Sequence, residues 1–165
     1  MGTLGVRETP GMPWWPADQW TSMKQGKECA MCADAHLPRN PFSDLVTETP
    51  WSYVRLHRNQ TRAGYSIVIA KRHLPELHDL SDEEVCGFWL DVAAVGRVVS
   101  DLFAPVKLAN LSMGFRVPHV HCHVYPQYED DDPFRLIDVT DGNARLDDTA
   151  WEQRVADMRA GLGRG

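Results

Sequence analysis

The chain has no apolar run long enough to span a bilayer, and its first residues, MGTLGVRETPGMPWWPADQW, lack the charged-then-apolar order of a secretory signal. These two absences make a cytoplasmic protein the expectation. Positive charge is also scarce. Seventeen Lys and Arg against 23 Asp and Glu leave a net charge of −6, which argues against a nucleic acid polymer as partner. A small anionic substrate escapes that exclusion, because it responds to local cations. Only four cysteines occur, and only Cys29 and Cys32 stand close, as C-x-x-C. In a reducing compartment such a pair reads as metal or redox chemistry before it reads as a structural disulfide. There is no internal repeat and no low-complexity tract. What is present, 165 residues with 43% hydrophobic and 24% charged, suits one domain with a sizeable core.

Periodicity predicts the elements. A tryptophan-bearing arm (Trp14, Trp15, Trp20) leads into a short helix over 17–24. Residues 51–57 (WSYVRLH) and 65–71 (YSIVIAK) read as strands of an antiparallel hairpin around the turn-like NQTRAG. Ser81 and Glu84 have the spacing of a capping box. Val85, Phe88, Trp89, Val92, Val95, Val99, Leu102 and Phe103 then recur at helical spacing as far as Pro105. Strands are expected over 106–111 and 117–125, then an acidic stretch and an amphipathic helix over 149–162. This order gives an α+β domain with a largely antiparallel sheet covered by helices. The expected division is an arm over 1–27, a domain over 28–128, and an acidic segment and helix over 129–165 packed on that domain.

The most informative stretch is PHVHCHVYPQ at 118–127. On a strand, alternate side chains share a face, so His119, His121 and His123 line one side about 7 Å apart, while Val120, Cys122 and Val124 point into the core. Such a row serves as a polar outer face, as a metal-binding row, or as rings divided between metal and catalysis.

The run HVHCHVY resembles the histidine triad motif, and residues 59–84 and 107–118 resemble the hairpin, helix start and preceding strand of histidine triad (HIT) hydrolases. The resemblance covers about 28–128. It implies a HIT-like fold with about five strands, a long helix on the sheet and a C-terminal helix. It also implies cleavage of a nucleoside 5′-monophosphate from a phosphate or phosphoramide leaving group, through a covalent nucleotidyl-histidine. On that resemblance His121 is the nucleophile and His123 contacts phosphate. Asn110, Gly114, Arg116 and His57 contact substrate, with His57 toward the ribose. His57 read by itself is equally a surface histidine, and Gly114 a turn glycine. Two positions depart from the pattern. Phe115 stands where glutamine or asparagine is usual, and Gln127 where arginine or lysine is usual.

Cys29 and Cys32 have the spacing of half a tetrahedral zinc site, though two buried thiols would look the same. Some histidine triad proteins, and the related galactose-1-phosphate uridylyltransferases, complete the set at positions matching His73 and His119. The resemblance therefore implies one structural zinc (Zn2+) per chain on Cys29, Cys32, His73 and His119. It also implies a small-molecule nucleotide substrate, no membrane partner and a homodimer. A nucleotidyltransferase and a non-catalytic nucleotide-binding protein are the rival readings.

Overall fold

The computed structural model describes residues 14–163. Five strands form one antiparallel sheet: β1 (Ser43–Glu48), β2 (Ser52–His57), β3 (Ser66–Ala70), β4 (Lys107–Leu111) and β5 (His121–Gln127). Their spatial order is β1-β2-β3-β5-β4. The helices are α1 (Ala17–Lys24), α2 (Ala30–Asp34), α3 (Asp82–Phe103) and α4 (Asp148–Leu162). The fold is α+β, as expected.

Strand β3 sits at the centre and all five of its residues are buried. That explains its continuous apolar reading: Val68 and Ala70 face one layer, Ile67 and Ile69 the other. On the first face α3 and α4 close the main core, with Phe88, Val92, Val95 and Val99 from α3 meeting Trp151, Val155 and Met158 from α4. Each such fully buried side chain contributes about 1.5–3 kcal/mol by leaving water. Helix α3 starts where the capping box places it. Ser81 Oγ accepts from Glu84 N at 3.3 Å, and Ser81 N donates to Glu84 Oε2 at 2.8 Å. Of the apolar positions expected to face inward, Leu102 is 39% exposed and lies off the stripe.

Two strands differ from the sequence reading. Strand β1 carries SDLVTE, whose polar residues give no apolar run, and its register breaks between Leu45 and Thr47 so that Val46 can reach the core. The motif strand begins at His121 and not at 117. Pro118 has no N–H to give a ladder, and Val120 N donates to Leu74 O at 2.9 Å outside the sheet. The arm packs on the domain through Trp15, whose indole N–H donates to Phe115 O at 2.9 Å. The rest of the arm, residues 1–13, lies outside the described residues.

Candidate active site and metal centre

The second face of the sheet carries the histidines. His121 pairs with Ile69 and His123 with Ile67, so both rings rise from the face opposite Cys122 and Val124. All three rings are buried: His119 2%, His121 6% and His123 9% exposed. A cavity of about 700 Å³ opens over His121 and His123.

His121 Nδ1 lies 2.6 Å from the carbonyl oxygen of His119. A carbonyl only accepts, so Nδ1 carries the hydrogen and Nε2 keeps its lone pair. Burial lowers the His121 pKa and holds the ring neutral at pH 7. The ring of His123 meets His121 edge-on at 5.0 Å between centroids. Burial, then the neighbouring His121 and His57, push His123 down to about 3. Two neutral imidazoles therefore face the cavity.

The other expected contacts divide. His57, Gly114 and Arg116 all line the cavity. His57 stacks on Tyr65 with centroids 4.6 Å apart, and its Nδ1 accepts from Asn59 N at 3.0 Å. Burial lowers its pKa, and Arg145 adds to that. Gly114 has φ +84°, a backbone conformation that disfavours a side chain. Asn110 is not brought to the site. It pairs with Val124, so its side chain takes the core face of the sheet away from His123, and it is exposed. Leu111, one residue on, holds the place opposite His123. Of the two departures, Phe115 lines the cavity, half exposed. Gln127 faces a separate cleft with Arg62 and Asp131.

The sequence reading missed one wall altogether. Residues 136–140, 142, 143 and 145 line the cavity, although the stretch looked acidic and unpatterned. Asn59 anchors it: Nδ2 donates to Asp141 O and Gly142 O, each at 3.0 Å, and Gln60 N donates to Ala144 O at 2.7 Å. Met31, Phe42 and Tyr65 were missed as well. Turn-forming Asn59 and Gln60 were the only signal in the sequence for a docked segment.

Beside this cavity, Cys29, Cys32, His73 and His119 bring one ligand atom each within 4.8 Å of the others. His119 Nδ1 is 3.4 Å from Cys29 Sγ and 3.5 Å from Cys32 Sγ; His73 Nδ1 is 3.2 Å from Cys32 Sγ and 3.2 Å from His119 Nδ1. Tetrahedral zinc with ordinary bond lengths has S···N edges of about 3.6 Å and N···N edges of about 3.3 Å. The four residues fit the ion. Each ring also donates its far nitrogen to a backbone carbonyl, His119 Nε2 to Ala70 O at 2.7 Å and His73 Nε2 to Lys24 O at 2.9 Å. Those bonds turn both Nδ1 lone pairs inward. Burial and the adjacent Cys29 raise the Cys32 thiol to about 12, so a nearby cation would be needed to hold that sulfur ionised at neutral pH.

Among known proteins, a family model described as the HIT domain matches residues 39–130. The protein named "Protein hit" of Bacillus subtilis is 30% identical over 84 residues, 48% of this chain and 58% of that protein. A bis(5′-nucleosyl)-tetraphosphatase (asymmetrical) of Schizosaccharomyces pombe is 30% identical over 108 residues, 58% of this chain and 59% of its own. The chain thus spans about three fifths of these curated relatives. A zinc-bound histidine triad family protein of Mycobacterium smegmatis shares the fold, with TM-score 0.60 and 20% identity over 83% of this chain and 94% of its own. A histidine triad protein of Marinobacter aquaeolei does so with TM-score 0.65 and 16% identity over 74% and 90%. Cys29, Cys32 and the 136–145 wall fall outside the residues matched by the family model. The matched segment covers the sheet, α3 and all three motif histidines, and the chain belongs to the HIT domain family.

Proposed function

We propose that the protein is a nucleotide hydrolase that releases a nucleoside 5′-monophosphate from a phosphate or phosphoramide leaving group. The observation that carries this reading is His121, whose Nδ1–H is held by the His119 carbonyl at 2.6 Å while its Nε2 lone pair stands in a cavity of about 700 Å³. A fixed neutral imidazole is a competent nucleophile at pH 7. Its Nε2 attacks phosphorus, the bond to the leaving group breaks with its electron pair, and a phosphorus–nitrogen bond joins nucleotide to ring. Water then attacks the same phosphorus and returns the ring. His123, beside it, donates to a phosphoryl oxygen as negative charge grows there. His57, Gly114 and Arg116 hold the nucleotide. The names of relatives such as the fission-yeast tetraphosphatase support this class at a coarse level.

In the same proposal Cys29, Cys32, His73 and His119 hold one zinc ion. With four protein ligands that ion is structural, joining the first turn of α2 to the segment after β3 and the approach of β5. We also propose a cytoplasmic location. No helix among the described residues is long and apolar enough to cross a membrane. A homodimer completes the reading; β4 lies at one edge of the sheet.

Product analysis tests the function. Nucleoside monophosphates carried on phosphate, amine and sugar leaving groups should yield free monophosphate with water as sole acceptor. Release only when an alcohol, amine or phosphate acceptor is added would make the protein a transferase. Tight nucleotide binding with no product across the panel would make it a binding protein.

A further inference from the structure

Tyr65 is the residue before β3 and is 2% exposed. Its ring is clamped on three sides. It stacks on His57 at 4.6 Å, meets Tyr125 edge-on at 5.0 Å and leans on His123 at 5.9 Å. Its hydroxyl lies 2.7 Å from His123 Nδ1. Burial raises the phenol above its usual pKa, so it keeps its proton.

Two arrangements of hydrogen satisfy that distance. In one, Tyr65 O–H donates to Nδ1, and neutral His123 carries its hydrogen on Nε2. In the other, Nδ1–H donates to the phenol oxygen, which leaves the phenol hydrogen without a protein acceptor among the described residues. A buried donor left unpaired is the arrangement folded chains avoid. That second form would also turn a lone pair of His123 toward phosphoryl oxygens.

We infer that Tyr65 is a positioning residue for His123, donating to Nδ1 and so fixing the tautomer that points Nε2–H into the cavity. The two adjacent rings are then set in opposite tautomers by what each Nδ1 meets. A carbonyl, which only accepts, leaves His121 a lone pair on Nε2; a phenol, which donates, leaves His123 a hydrogen there. The first ring is armed to attack and the second to hold phosphate oxygen. The tautomer itself follows from the geometry. Only its use on a phosphoryl oxygen rests on the proposed hydrolase reading.

Nitrogen-15 NMR of the full chain with labelled histidine tests this. The expected spectrum has His121 protonated on Nδ1 and His123 on Nε2. Tyr65→Phe removes one oxygen, and its fold is checked by zinc content and melting temperature. In it His123 should lose its single tautomer while His121 keeps its own. In the same variant kcat should fall about 10- to 100-fold, the range for losing a partner that orients a functional ring, with KM nearly unchanged. A wild-type His123 protonated on Nδ1 would overturn the inference, as would an unchanged His123 tautomer in Tyr65→Phe. A wild-type protein with no turnover removes the hydrolase reading alone, and the spectrum still decides the role of Tyr65.

Discussion

Removing zinc should cost the fold a large part of its stability, and the size of the loss follows from where the ligands lie. Cys32 and His73 are 41 residues apart, and His73 and His119 are 46 apart. In the chain-entropy account, each closure of that length restricts the unfolded chain by about 4 kcal/mol at 25 °C. The two closures share the ion and are not independent, so the loss on metal removal lies between about 4 and 8 kcal/mol. Domains of this size are stable by about 5–15 kcal/mol. At about 2–4 °C of Tm per kcal/mol, a fall of roughly 10–30 °C is expected. Circular dichroism melts before and after chelation, with zinc per chain counted by mass spectrometry, supply the assay. Cys29→Ser should reproduce the chelated melt. Purified protein without zinc would refute the reasoning, and so would complete loss of zinc with Tm held within about 2 °C.

Arg55 is fully buried and donates to Ser43 Oγ and to the Ala35, Leu37 and Ser43 carbonyls at 2.7–2.8 Å. Arg55→Met strands those acceptors and should destabilise the chain by about 3 kcal/mol or more in urea unfolding, loosening the segment after α2. Glu84, partly buried and doubly bonded to Arg72, is depressed to about 2 from its usual 4.5. A depressed carboxylate stabilises the folded state above the unfolded pKa and loses that as pH falls through the folded one. The Tm gap between wild type and Glu84→Gln should therefore be full above pH 5 and close toward pH 2. Asn110, on the far face of β4, predicts that Asn110→Ala changes kcat/KM by less than about twofold; a large loss would mean the register of β4 on β5 is wrong.

What could be read from the sequence depended on whether a local pattern was also the structural cause. Helix α3 was legible because its capping box and apolar stripe are the interactions that form it. The cysteine half of the Cys29–Cys32–His73–His119 cluster was legible because C-x-x-C puts two sulfurs at the turn opening α2, whereas His73 and His119 came from the family resemblance. Asn110 was expected at the site from the family resemblance alone, which does not fix the strand register. One residue of register decides the face, and the pairing Leu111 with His123 appears only once strands meet. Strand β1 was missed because its partner β2, and not its own composition, makes it a strand. The 136–145 wall was invisible for a similar reason, being docked by Asn59 and Gln60 from about 80 residues away. Tyr65 looked like an ordinary strand-end aromatic until the fold set its hydroxyl against His123.

The central claim is that His121 bonds to the nucleotide during turnover. Intact-protein mass spectrometry after rapid quenching, with peptide mapping, tests it most directly on the substrate that turns over fastest. The expected result is one added nucleoside monophosphate on His121, absent from His121→Ala, which keeps its zinc and loses turnover. Full turnover by His121→Ala, or an adduct mapped to another residue, would contradict it.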